Sequence, residues 1–231
     1  MAGTKGRYKR TRAGAWLILM FAATAIGVYS LRYGLPKVPN PLLPNFITRP
    51  HFFITHALAA SVALLAGPWQ FIARLRSKWP SVHRTIGRIY LASVAVAWLS
   101  SIPLGLHAFT GAVASAGFLS LGIFWIAATV AAVMHILRGS VNAHKRWMIR
   151  SYALTAAAIT LRMYLGLAIA LRLPMEVSYP AIAWLCWVPN LLSVEAFFLF
   201  QQIRQRSHAS ESVSPPGGNR AMDADQLLSI E

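Results

Sequence analysis

Apolar residues fall into six long blocks along the chain, each closed by a short polar or proline-bearing segment. The blocks cover about 13–33, 49–75, 85–108, 113–137, 144–171 and 180–203. At 1.5 Å per residue, a helix of about 20 residues crosses the roughly 30 Å hydrocarbon core of a bilayer. The pattern therefore predicts an all-α integral membrane bundle of six transmembrane helices, with N- and C-termini cytoplasmic. Residues 1–12 form a basic cytoplasmic N-terminus and 34–48 a Pro-rich outer loop. Residues 49–203 form a five-helix membrane domain, and 204–231 a disordered cytoplasmic tail. The first block follows basic residues, as in a signal peptide. It ends in the bulky Leu31, Arg32 and Tyr33 rather than a small-residue cleavage site, so an uncleaved first helix is expected.

The fifth block carries an unusual polar stripe. At about 100° per residue, His144, Ser151, Thr155 and Arg162 lie within roughly 20° of one line. Such a stripe must face protein rather than lipid. If the membrane begins near Ser151, Arg162 lies about 16 Å deeper, near the bilayer centre. Exposing an arginine there costs at least about 2.5 kcal/mol, so it requires a partner or a wet cavity. On the sixth block Asn190, about 14 Å deep, is level with Arg162, and Glu195 is about 21 Å deep. The candidate polar intramembrane site is Arg162, Asn190, Glu195, Gln70, Trp187, Thr155 and His56. The simpler alternative is a structural lock between helices five and six.

Other faces are small rather than charged. The second block aligns His56, Ala60, Ala63, Gly67, Gln70 and Arg74. The third aligns His83, Gly87, Tyr90, Val94, Ala97, Ser101 and Gly105, and the fourth Gly117, Ser120, Phe124, Ala128, Ala131 and His135. Small residues let helices approach closely in lipid. Pro68 is expected to kink the second helix and free a carbonyl that must find another donor. No inverted repeat and no pair of broken helices is evident, which argues against the usual transporter designs.

Charge sharpens the topology. The chain has 22 Lys and Arg against 6 Asp and Glu, a net charge of +16. In a soluble protein this would suggest nucleic acid. Here the basic residues cluster between apolar blocks, so no nucleic-acid partner is expected and the positive-inside rule sets the orientation. Arg74, Arg84, Arg88, Lys145, Arg146 and Arg150 form an expected interface with anionic lipid headgroups. The chain could also serve as a protomer of a homo-oligomer.

Recognisable catalytic chemistry is scarce. The single cysteine, Cys186, excludes an intramolecular disulfide and a cysteine-based metal site. There is no HExxH, GxSxG or P-loop. Of six acidic residues only Glu195 falls in a span, which argues against two-carboxylate catalysis. His83 and His144 precede the third and fifth helices, and imidazoles from two helices can hold a haem iron axially. They are candidate ligands for haem b in a haem- or quinone-linked redox protein. Their basic flanks favour interface anchoring instead, and His56 has no histidine opposite it. A third reading is a structural subunit of a larger membrane complex.

The runs GPWQFIARLR (67–76), HRTIGRIY (83–90), HKRWMIRSYALTAAAITLR (144–162) and WLCWVPNLLSVE (184–195), preceded by His56, resemble a bacterial family of predicted membrane proteins, domain of unknown function 2306. The resemblance covers about residues 50–200. It implies a multi-pass protein of the bacterial cytoplasmic (inner) membrane and supplies no activity. The residues it carries over are His56, Gln70, Arg74, His83, Arg84, Arg88, His144, Arg146, Trp147, Arg150, Arg162, Trp187, Asn190 and Glu195.

Overall fold

The computed structural model describes residues 2–35 and 44–213, and every regular element among them is helical. In chain order these are α1 (Ala2–Leu31), α2 (Pro44–Thr48), α3 (Pro50–Ala66), α4 (Ala73–Lys78), α5 (Pro80–Leu106), α6 (Ala112–Leu137), α7 (Val141–Thr155), α8 (Ala157–Ala170), α9 (Met175–Leu185) and α10 (Val188–Val213). Six stretches are long and apolar enough to cross a membrane: Trp16–Gly34, Pro50–Phe71, Pro80–Leu106, Ala112–Leu137, Val141–Ala170 and Met175–Arg206. The six-span pattern is thus present, and the protein is a multi-pass, all-helical membrane protein. Part of the expected Pro-rich loop, 36–43, and the end of the expected tail, 214–231, lie outside the described residues.

The boundaries differ from the expected ones for identifiable reasons. The third span starts at Pro80 rather than 85, because a proline at the first helical position needs no N–H partner. The fifth starts at Val141 rather than 144. Gly139, at φ +74°, closes α6, with Ser140 N–H donating to His135 O at 2.8 Å and Gly139 N–H to Ile136 O at 3.0 Å. That Schellman turn lets the next helix begin at once. The last helix continues to Val213, past the expected end at 203, so the segment expected to be disordered begins as helix.

Three spans are interrupted. The second passes from α3 into a 3-10 turn at Pro68–Phe71, since Pro68 has no N–H to continue the ladder. The fifth breaks at Ala156, between α7 and α8. The sixth breaks at Cys186 and Trp187, where Pro189 removes the donor for the Leu185 carbonyl. The expectation that no broken-helix pair exists is corrected here, because the fifth and sixth spans are both discontinuous.

Two compact units divide the chain, Met1–Val194 and Glu195–Glu231. The core of the first is built on small residues. Ala63 and Ala97 are fully buried, as expected for close-packing faces. A side chain at Gly117 would press on Ala183, 3.0 Å away, so α6 and α9 meet there backbone to backbone. Of the second unit, the described part is the continuation of α10 through Phe197 and Phe198, whose rings lie 5.9 Å apart.

Candidate functional site

The break at Ala156 divides the polar stripe. Below it, on α7, Ser151 and Thr155 are buried against α5 and α6. The Tyr90 hydroxyl lies 2.7 Å from Ser151 Oγ and 2.8 Å from Thr155 Oγ1. Trp125 Nε1 donates to Thr155 Oγ1 at 2.9 Å, and Thr129 Oγ1 lies 2.8 Å from Ser151 Oγ. Every member has a partner, which locks three helices in register. Thr155 thus belongs to a closed network and not to a cavity.

Beyond the break, Arg162 faces α1. Its Nη2 donates to Ser30 Oγ at 2.7 Å and its Nη1 to the Ala158 carbonyl at 2.9 Å. Among the described residues no carboxylate pairs with it. Arg162 stands eight residues, about 12 Å, from the Ala170 end of a span that begins at Val141. It therefore lies in the half of this apolar stretch toward Ala170. Ser30, four residues from the Gly34 end of the first span, is at the same end.

Asn190, expected level with Arg162, has other partners. Its Nδ2 lies 3.3 Å from the Ala153 carbonyl, 3.2 Å from Thr160 Oγ1 and 3.1 Å from the Cys186 carbonyl. Thr160 in turn donates to the Cys186 carbonyl. The Asn190 amide is thus inserted between the interruption of the fifth span and that of the sixth. A side chain entering the ladder is a recognised cause of such breaks, and the ends it creates expose carbonyls needing donors. Asn190 and Thr160 supply them.

The remaining candidates are spread through the bundle. Gln70 is buried, its Oε1 lying 3.2 Å from where a Cβ on Gly87 would stand, and its Nε2 has no partner among the described residues. Trp187 is 5% exposed and packs beside Phe124 and Trp184, with ring centroids at 5.5 and 5.8 Å. Its Nε1 also lacks a partner among the described residues. Glu195 falls in the second unit. The expected seven-residue site is therefore not one cluster within the first unit. Arg162 bonds Ser30 and the Ala158 carbonyl and His56 the Ala97 carbonyl, whereas Asn190, Thr155, Gln70 and Trp187 sit at separate points.

The histidines are individually oriented. His56 Nδ1 lies 2.9 Å from the Ala97 carbonyl and His144 Nδ1 2.8 Å from the Ala132 carbonyl. A carbonyl only accepts, so both rings carry a proton on Nδ1, which fixes their orientation. His83 lies within electrostatic reach of His144 and of Arg76 and Arg84, and its Nδ1 has no partner among the described residues. No group of three or more metal-ligating side chains occurs among the described residues. Arg74, Arg84, Arg88 and Lys145 are exposed; Arg146 and Arg150 are half-buried, and Arg150 lies 4.6 Å over the Trp147 ring.

Sequence reasoning did not single out Ser30 or Thr160. A lone serine in the first apolar block was the available signal for Ser30, but that block read as a simple anchor. Thr160 precedes Arg162 by two residues and faces a different neighbour, which no periodicity shows across a break.

No curated protein and no solved structure matches the chain. A family model described as predicted membrane protein (DUF2306) matches residues 53–198, the region holding α5 through α9 and every candidate site residue. With six apolar spans and this match over more than half its length, the chain belongs to that predicted membrane protein family.

Proposed function

We propose that this protein binds a small molecule or lipid at a polar intramembrane site around Arg162, as a transporter-like or sensor-like component of the bacterial cytoplasmic membrane. One observation carries the reading. A guanidinium inside an apolar span donates to a hydroxyl and a carbonyl and has no carboxylate partner among the described residues. An uncompensated intramembrane charge is costly, and its retention is the ordinary mark of a ligand or ion pathway. The paired interruptions of the fifth and sixth spans add support, because discontinuous helices are where transporters build sites. The basic residues of the connections between spans two and three and between spans four and five favour cytoplasmic termini.

The test is Arg162→Met, which keeps length and apolar packing while removing the charge. The expected result is a variant that is made and inserted at the wild-type level but does not rescue the deletion strain. Full rescue by a folded Arg162→Met protein would overturn the reading.

A second reading is a haem b or quinone-linked redox protein with His83 and His144 as candidate ligands, supported by the backbone bond that fixes the His144 ring. Axial imidazoles characteristically donate their other N–H in this manner. An absorption spectrum of protein purified from haem-replete cells, oxidised and then dithionite-reduced, decides it. A Soret band that His144→Ala removes supports haem; its absence from wild type rejects it.

A further inference from the structure

The helices α8 and α9 are tied to each other at both ends. At the end near the interruptions, Thr160 donates to the Cys186 carbonyl, and the Asn190 amide bonds both. At the other end the chain reverses through the closing turn at Arg172, with Leu173 N–H on the Ala168 carbonyl at 2.9 Å. Between these ties the two helices leave an apolar groove of about 430 Å³. Ala168 and Ile182 are its buried floor, and Leu167, Val177 and Leu185 are exposed along its rims. No charged side chain lines it, and the Ser178 hydroxyl at its edge already donates to the Pro174 carbonyl at 2.7 Å.

The groove has the dimensions of a single hydrocarbon chain. An empty gap would forfeit the dispersion contacts of its lining, and water finds few polar partners there. From Pro174 to Leu185 α9 rises about 16 Å, close to the roughly 15 Å that one leaflet contributes to the hydrocarbon core. At about 30 Å³ for a water-sized group, the groove takes roughly 14 methylenes, which is one acyl chain and not two.

The outer mouth of the groove supplies a charge. Arg172 directly precedes Leu173, which lines the groove, and stands in the connection between the Ala170 end of the fifth span and the Met175 start of the sixth. Its side chain is exposed at that boundary. Glu176, the next charged residue along the chain, lies roughly 170° around α9 from the lining positions and does not oppose it there. A guanidinium at the edge of the hydrocarbon matches the phosphate of a lipid whose chain runs inward from it.

We infer that the groove between α8 and α9 seats one acyl chain of a phospholipid in the leaflet at the Arg172 end, with the lipid phosphate on Arg172. The seat is independent of the Arg162 site, because Tyr164 and Leu167 of its lining stand roughly 160° and 140° around α8 from Arg162.

The experiment is native mass spectrometry of the full chain in uncharged detergent, offered dioleoyl phosphatidylglycerol or dioleoylglycerol, which share their chains and differ by the headgroup phosphate. The expected result is one retained phosphatidylglycerol per chain, preferred about tenfold over dioleoylglycerol. Ala181→Phe fills the groove from an exposed lining position and is expected to lower retention of both compounds about tenfold. Val177→Trp has the same expected effect and carries the test if Ala181→Phe is not recovered folded. Ala127→Phe, the same enlargement at an exposed position on α6, leaves retention unchanged. Arg172→Gln removes the preference for the phosphate and leaves retention of dioleoylglycerol as it was. Undiminished retention in the groove variants would overturn the seat. An equal loss in Ala127→Phe would overturn it as adsorption to any apolar face. A preference that survives Arg172→Gln would overturn the phosphate contact, and no retention by the wild-type chain would overturn the whole inference.

Discussion

The Tyr152 hydroxyl donates to the Leu64 carbonyl at 3.2 Å. That carbonyl is the one whose helical donor would have been the N–H that Pro68 lacks. The second span is therefore interrupted by its own proline and repaired by a side chain from the fifth. The Tyr152 ring lies flat enough on the chain that a Cβ at Gly67 would stand 2.1 Å from it.

Tyr152→Phe keeps the ring and removes the donor. It is expected to destabilise by about 1 kcal/mol, between the usual cost of an unpaired buried carbonyl and the smaller values found in membranes. Gly67→Ala should cost about 1–3 kcal/mol through overpacking against the same ring. Unfolding free energies in mixed micelles check both, and an unchanged Tyr152→Phe would show that water or lipid already serves Leu64.

Asn190 joins the two other interruptions, with Thr160 as its intermediary. Asn190→Ala strips donors from the carbonyls of Ala153 and Cys186 and should cost about 2 kcal/mol. Thr160→Val should cost less alone. In a double-mutant cycle the pair is expected to show a coupling of about 0.5–1 kcal/mol, whereas additive losses would mean the two contacts are independent.

Arg172 ends α8 at φ +52°, with Leu173 N–H bonded to the Ala168 carbonyl at 2.9 Å and Arg172 N–H to Ile169 O at 3.0 Å. This is the left-handed closing turn that glycine makes without a Cβ penalty. Arg172→Gly is expected to raise stability by about 0.5–1 kcal/mol, measured in the same micelle titration. A loss would show that the Arg172 side chain contributes more than its backbone costs.

Orientation gives a direct test. A reporter joined after Glu176, in the connection between the fifth and sixth spans, should be active only on the outer side of the membrane. One joined after Arg206 should be active only in the cytoplasm. Reversed activities would place the basic connections outside.

The six spans were legible in the sequence because apolar length is a one-dimensional property. So was the need to repair the carbonyl freed by Pro68, since proline lacks its N–H wherever it stands. The repairing residue was not, because Tyr152 lies 88 positions away in the chain. The polar stripe on the fifth span was read correctly as facing protein. His144, Ser151 and Thr155 do contact neighbouring helices. Arg162 was assigned to the same line only because helical periodicity assumes an unbroken helix. Asn190 donates to the Ala153 carbonyl beside the interruption at Ala156, and beyond it Arg162 meets Ser30 on α1.

The sequence by itself determined that this chain carries six stretches long and apolar enough to cross a membrane, which segments carry the basic charge, and that Arg162 must meet something polar. Those conclusions follow from the cost of placing charge and unpaired backbone in hydrocarbon, which holds for any packing. Only the tertiary structure decided what Arg162 meets. Depth arithmetic pointed to Asn190, but depth does not specify which helix lies alongside. The packing of α8 against α1 brings Ser30 to the guanidinium, and leaves Asn190 to hold two broken helices together.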